Sequence, residues 1–144
     1  MKNNNKGFSL LELLIVVAII LIIATIAIPS LLRSRQAANE SAAVANVRTI
    51  NTAQVTYLSS AANKYGSMLA LIGAKLVDDT FTGTKAGYNY SITLDGTGQD
   101  YTVEANPASP NTGRYGYYST PDAVVRYSTT GTLAPTGQQG RSVQ

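Results

Sequence analysis

The segment that decides the fold spans residues 8–28 and reads FSLLELLIVVAIILIIATIAI. Three of its residues are polar: Ser9, Glu12 and Thr25. At about 1.5 Å per helical residue, the part from residue 10 to residue 28 covers roughly 28 Å, close to the ~30 Å of hydrocarbon in a bilayer. An ordinary secretory signal has an apolar stretch of only about 7 to 15 residues. We therefore predict a membrane-spanning helix after the polar residues 1–7.

Glu12 is the only ionisable residue of this segment. A carboxylate inside a membrane helix costs on the order of 3 kcal/mol at the centre and less near an end, so it needs a cationic partner. No Lys or Arg lies between Gly7 and Arg33, and an α-amino group formed by cleavage after Gly7 is the cation that could reach this depth. Pairing of Glu12 with the new N-terminus of a neighbouring chain would fix an axial register. The alternative is that Glu12 lies near the headgroups and reaches water.

A longer motif surrounds this acid. Residues 6–20 read KGFSLLELLIVVAII, and the apolar run closes on Pro29. This motif resembles the class III signal of type IV pilins and of the pseudopilins of type II secretion and competence systems. The resemblance covers about the first quarter of the chain.

The resemblance assigns roles to four residues. It implies that a prepilin peptidase cleaves between Gly7 and Phe8 and methylates the Phe8 amine, and that Glu12 is the assembly glutamate. Many relatives also carry a glycine near the position of Leu21. Its absence here leaves Pro29 as the main helix break.

The resemblance also implies a location and partners. The precursor is expected in the bacterial inner membrane as a single-pass protein with a cytoplasmic N-terminus, and the mature form in an extracellular or periplasm-spanning filament. The expected partners are further copies of the chain in a helical homopolymer, the prepilin peptidase, and the inner-membrane assembly platform with its ATPase.

The composition excludes several kinds of chemistry. The 144 residues include no Cys and no His, which rules out disulfides, Ser-His-Asp and Cys-His nucleophiles and the usual zinc hydrolase sites. The net charge of +3 falls to +1 without Lys2 and Lys6, so we do not expect nucleic acid as a direct ligand. No phosphate loop or nucleophile-base pair is visible. We expect neither enzymatic activity nor a cofactor.

The remaining sequence predicts an α+β fold, a long helix packed on a four-stranded antiparallel sheet. The predicted segments are a leader at 1–7, a transmembrane or filament-core helix half at 8–29, an amphipathic helix half at 30–62, a connecting loop with one short helix at 63–87, a sheet at 88–128 and a flexible tail at 129–144.

Periodicity supports the helix and the sheet. A stripe at spacings of four and three predicts the buried side of the helix: Ala43, Val47, Ile50, Gln54, Tyr57 and Ala61. Alternating apolar residues on both sides of the Asp95-Gly96-Thr97-Gly98 turn predict a hairpin, and residues 114–119 and 123–128 predict a second pair of strands. The charged helix residues expected to face solvent or neighbouring subunits are Arg33, Arg35, Glu40 and Arg48. The tyrosines expected to pack in strands are Tyr88, Tyr90, Tyr101, Tyr115, Tyr117, Tyr118 and Tyr127.

Three functions stay open at this level. The favoured one is a structural subunit of a type IV pilus-like surface filament, polymerised through its N-terminal helix, with adhesion, motility, DNA uptake and secretion as possible tasks. The second is a pseudopilin of a type II secretion or DNA-uptake system, although the acidic calcium loop of a major type II secretion pseudopilin is not visible. The third is a monomeric, membrane-tethered binding module with an uncut N-terminus.

Overall fold

The computed structural model describes residues 7–129, 133–135 and 139–143. Most of the predicted leader and parts of the predicted tail lie outside these ranges. The chain divides into two compact units, residues 1–34 (unit 1) and residues 35–144 (unit 2). One helix, α1 (Leu10–Ser60), contributes to both units.

In unit 1, the apolar segment forms the first part of α1. The helix begins as the amide of Leu13 donates a hydrogen bond of 3.2 Å to the carbonyl of Ser9. Pro29 lies inside α1, and the residues on both sides of it are helical. The predicted break at Pro29 concerns the helix in an assembled filament, and it stays a prediction.

Unit 2 contains an antiparallel sheet of six strands among the described residues, in the order β1-β2-β3-β4-β5-β6. The strands are β1 (Thr84–Lys85), β2 (Tyr88–Leu94), β3 (Tyr101–Pro107), β4 (Tyr117–Ser119), β5 (Arg126–Tyr127) and β6 (Arg141–Ser142). The prediction of four strands was therefore wrong. The two additional strands lie at the sheet edges and have two residues each, too short to show alternation. One of them, β6, lies within the predicted tail.

The second pair of strands is shorter than predicted, and two amides expected in these strands bind side chains instead of a neighbouring strand. The amide of Arg114 donates to the carboxylate of Glu40 at 2.8 Å, and β4 begins only at Tyr117. In the same way, the amide of Val124 donates to the carboxylate of Asp122 at 3.0 Å, and β5 begins only at Arg126.

The core of unit 2 lies between α1 and the sheet. The predicted helical stripe is buried as far as Gln54, while Tyr57 and Ala61 are half-buried. Core residues from helices and strands form one cluster, which includes Ala43, Val47, Ile50, Leu71, Tyr88, Val103 and Ala105. The predicted packing of a long helix on an antiparallel sheet is confirmed.

The connection from α1 to the sheet contains the predicted short helix, α2 (Met68–Gly73), with Ser67 as its N-cap. The Ser67 hydroxyl accepts a hydrogen bond of 3.3 Å from the amide of Ala70. A 3₁₀ helix follows at Asp79–Thr82, which the sequence did not predict.

The tyrosines pack largely as expected. Five are buried: Tyr88, Tyr90, Tyr101, Tyr117 and Tyr118. Tyr115 lies outside the strands, but its ring packs at 5.3 Å from the ring of Tyr127. Burial raises the pKa of Tyr88, and the Tyr88 hydroxyl donates to the carbonyl of Tyr115 at 2.8 Å. These side chains are committed to the structure of the sheet.

Candidate assembly site

The surface of unit 1 is the most unusual feature of the chain. Its large hydrophobic residues from Phe8 to Leu32 are all exposed, with exposed fractions from 44% at Leu32 to 84% at Phe8. Helix α1 is long and apolar enough to cross a membrane. Burying one such side chain contributes about 1.5–3 kcal/mol, so covering this surface with lipid or with other chains is favourable by tens of kcal/mol. The described residues leave this surface uncovered, so unit 1 requires a partner surface.

The predicted processing site lies at the start of this surface. Gly7 and Phe8 precede α1 and are both exposed, and a side chain at position 7 would meet no described residue within 4 Å other than its chain neighbours. Glu12 lies in the first turn of α1, where a carboxylate is favoured by the helix dipole, and its side chain is exposed. The structure thus places all three on one accessible helix terminus. Cleavage, methylation and the pairing of Glu12 stay predictions.

In unit 2, Glu40, which was predicted to face solvent or neighbouring subunits, instead forms an ion pair with Arg114. Glu40 lies on the buried side of α1, with 10% of its side chain exposed, and forms an ion pair of 2.9 Å with Arg114. Its carboxylate also accepts hydrogen bonds from the amide and the Nε of Arg114 at 2.8 and 3.0 Å. The prediction for Glu40 was wrong because a charge can be buried when one partner satisfies both of its oxygens.

Two further residues of α1, Asn39 and Gln36, bind the loop between β3 and β4 that contains Arg114. The side-chain amide of Asn39 donates to the carbonyl of Thr112 at 2.9 Å, and that of Gln36 donates to the carbonyl of Pro110 at 2.9 Å. Together with Glu40, they fasten the loop between β3 and β4 to the beginning of the helix in unit 2. The spacing could have revealed Glu40, because it lies three residues before Ala43 on the predicted stripe.

Opposing effects set the pKa of Glu40. Burial raises it, but the hydrogen bonds and the positive charge of Arg114 outweigh burial and hold the pKa of Glu40 below its ordinary value. Glu40 is therefore ionised at neutral pH. Conversely, the Glu40 carboxylate raises the pKa of the Arg114 guanidinium, because it stabilises the charged form.

A second polar cluster binds the middle of α1 to the sheet. Asn51 is buried; its amide nitrogen donates to the Ser119 hydroxyl at 2.8 Å, and its oxygen accepts from the Tyr101 hydroxyl at 3.1 Å. Gln54 is also buried and bonds to both the amide and the carbonyl of Gly66, at 2.9 and 2.6 Å. These hydrogen bonds specify how the helix packs against the sheet and the segment before α2.

Comparison with known proteins points in the same direction. A family model described as the prokaryotic N-terminal methylation motif matches residues 2–28. The "Type IV wide pilus major component PilA4" of Thermus thermophilus is 33% identical over 122 residues, which cover 85% of this chain and 86% of that protein.

The "Type IV major pilin protein PilA" of Myxococcus xanthus is 46% identical over 55 residues. That match covers 38% of this chain and 25% of the relative's length. No solved structure matches the chain significantly. Because the similarity to the Thermus protein extends over most of both chains, the chain belongs to the type IV pilin family.

Proposed function

We propose that this chain is a structural subunit of a type IV pilus-like filament, cleaved between Gly7 and Phe8, methylated at the Phe8 amine and polymerised through α1. The observation that carries the proposal is the exposed apolar surface of unit 1, interrupted by a single carboxylate, Glu12. A membrane covers such a surface before assembly, and neighbouring helices cover it in a filament. One relative is named as a major pilin and the other as a major pilus component, which favours a principal subunit of the filament.

Glu12 supplies the specificity that an apolar helix lacks. Apolar helices slide past one another at little cost, whereas a carboxylate in a low-dielectric environment is stable only beside a cation. Cleavage before Phe8 creates an α-ammonium group within reach of the first turn of a neighbouring helix. Pairing of the two charges then sets the axial position of each subunit as it enters the filament.

The partners follow from this sequence of events. The precursor waits in the inner membrane with its N-terminus in the cytoplasm, where a prepilin peptidase removes residues 1–7. An inner-membrane assembly platform, driven by an ATPase, then extracts the mature chain from the lipid. The chain itself supplies the binding surface.

The first test is the N-terminal sequence and mass of the protein in filaments sheared from the cells that produce it. We expect an abundant chain that begins at Phe8 and carries one additional methyl group. A chain that retains residues 1–7 and occurs only in the membrane fraction would instead indicate a tethered binding module.

Substitution of Glu12 tests the register. We expect Glu12→Ala and the isosteric Glu12→Gln to be synthesised and inserted normally but to yield no filaments, whereas the neighbouring substitution Ser9→Ala leaves filaments intact. Normal filament yield from Glu12→Gln would show that the charge is not needed.

A further inference from the structure

A groove beside α1 on the surface of unit 2 is lined by Arg48, Asn51, Thr52, Val55 and Ala123, and we call it the Arg48 groove. Val55 is 60% exposed. Ala123 has a φ of 58°, in the left-handed region that favours glycine, and so places a methyl group in the groove at a conformational cost. The groove therefore presents aliphatic surface to solvent.

The polar side chains of the groove have partners within the chain, with one exception. Asn51 bonds to Ser119 and Tyr101, as described above, and the Thr52 hydroxyl donates to the carbonyl of Arg48 at 3.0 Å. The guanidinium of Arg48 forms no hydrogen bond or ion pair with any residue that the structure describes. A partner that covers the groove must therefore supply a carboxylate for Arg48 and little else.

Such a carboxylate, that of Asp79, lies beside the opposite flank of α1. Asn46 and Thr49 of α1 line a second groove together with the exposed Asp79 and Lys75. In the described part of the chain, the carboxylate of Asp79 forms no hydrogen bond and no ion pair. Its neighbour Asp78, by contrast, is paired with Lys85 at 2.6 Å.

Helix α2 borders this second groove through Ile72, and it also carries Leu69, an aliphatic side chain that is 72% exposed. Helix α2 starts beside Gln54, because Gly66 bonds to the Gln54 side chain. Along α1, Asp79 thus shares a groove with Thr49, and α2, which carries Leu69, begins near Gln54. The first flank follows the same order, with Arg48 and Val55 about 10 Å apart along the helix.

We propose that the Arg48 groove of one copy packs against the Leu69 and Asp79 flank of a neighbouring copy. Arg48 pairs with Asp79, and Leu69 packs against Val55 and Ala123. Because the charge and the aliphatic residue follow in the same order on both flanks, parallel copies form both contacts together. The two surfaces differ, so the contact is heterologous and adds copies in an open series, as a filament requires. This contact rests on the proposed function and identifies the surfaces that unit 2 uses in it.

Disulfide cross-linking tests the contact directly, because the chain contains no cysteine of its own. We expect filaments of the double variant Val55→Cys, Leu69→Cys to yield a ladder of dimers and longer species after oxidation with copper phenanthroline. Leu133 has the same exposure as Leu69, 72%, so Val55→Cys, Leu133→Cys is the matched control and should remain monomeric. An equal ladder from the control, or no ladder from the test pair, overturns the contact.

Charge reversal tests it without cysteines. We expect Arg48→Glu and Asp79→Arg each to lower the yield of sheared filaments by about tenfold or more, and the double reversal to restore it. The control reversals Lys64→Glu and Glu104→Arg should leave the yield unchanged. Normal yield from both single reversals, or no rescue in the double variant, overturns the proposal.

Filament formation by the wild-type chain distinguishes failure of this contact from failure of the proposed function. Filaments that form from the wild type but are indifferent to these substitutions overturn the contact and leave the proposed function in place. Absence of filaments from the wild type, with normal membrane insertion, overturns the proposed function and the contact together.

Discussion

Glu40 is a carboxylate on the buried side of α1, and among the described residues its side-chain hydrogen bonds all come from Arg114. Removing its charge leaves those donors with a weaker acceptor. We expect Glu40→Gln to lower the free energy of unfolding by about 1–2 kcal/mol, a modest value because 54% of the Arg114 side chain is exposed. Thermal unfolding of the full chain in detergent measures the loss. Glu104→Gln is the control, since Glu104 forms no ion pair among the described residues, and an equal effect there would contradict the assignment.

The same residue predicts a dependence on pH. The pKa of Glu40 in the folded chain is below its ordinary value of 4.5. A group with a lowered pKa contributes stability that is fully present above the unfolded pKa and is lost as the pH falls through the folded pKa. The difference in Tm between wild type and Glu40→Gln should therefore be constant from about pH 7 to pH 5.5 and shrink on further acidification. A difference that increases in acid would be inconsistent with the ion pair.

Gly116 is required for a different reason, the close approach of another part of the backbone. A Cβ at this position would overlap the backbone nitrogen of Ala134 and the carbonyl carbon of Leu133. We expect Gly116→Ala to destabilise the chain by about 1–3 kcal/mol. It should also speed hydrogen exchange at the Ala134 amide, which donates to the Asn106 side chain at 2.7 Å.

Gly83 provides the control for this substitution. A Cβ at Gly83 meets nothing within 4 Å, and its φ of −119° is open to any residue. Gly83→Ala should change stability by no more than about 0.5 kcal/mol. If both alanine variants behave alike, close packing at Gly116 is not the cause of the effect.

At the scale of elements, Gln54 joins α1 to the segment that leads into α2. It is fully buried and satisfies both the amide and the carbonyl of Gly66. We expect Gln54→Ala to cost about 2–4 kcal/mol, because it leaves two buried backbone groups without partners and opens a cavity. Hydrogen exchange at Gly66 should accelerate as well.

Gln36 allows a comparison on the same helix. The Gln36 side-chain amide also donates to a backbone carbonyl, that of Pro110, but this bond is exposed. Water can therefore take the place of the Gln36 amide as the donor. Gln36→Ala should therefore cost less than about 1 kcal/mol. Equal losses at the two glutamines would argue against burial as the deciding factor.

At the scale of the whole molecule, the two units differ in whether their hydrophobic side chains are buried or exposed. The core cluster of buried hydrophobic residues lies within unit 2, whereas unit 1 exposes its large hydrophobic side chains from Phe8 to Leu32. We expect residues 35–144 alone to be soluble and to unfold cooperatively in chemical denaturant, and the full chain to require detergent or lipid. Circular dichroism and analytical ultracentrifugation measure both properties. Aggregation or noncooperative unfolding of the shortened chain would mean that unit 2 depends on unit 1.

The sequence by itself determined the long helix, its apolar first half, the short helix capped by Ser67, and the hairpin at Asp95-Gly96-Thr97-Gly98. These features depend on local patterns: helical periodicity, a run of apolar residues, and turn residues between alternating strands. The N-terminal methylation motif, which includes Gly7, Phe8 and Glu12, is local too, so it could be identified in the sequence before any fold was known.

Only the tertiary structure decided which charged and polar residues are partners. The pairing of Glu40 with Arg114 joins residues 74 positions apart, and it binds a backbone amide that was predicted to lie in a strand. The edge strands β1 and β6 have two residues each and exist because neighbouring strands supply their hydrogen bonds. Contacts between distant residues leave no periodic signal in the sequence, because their free energy depends on the shape of the folded chain.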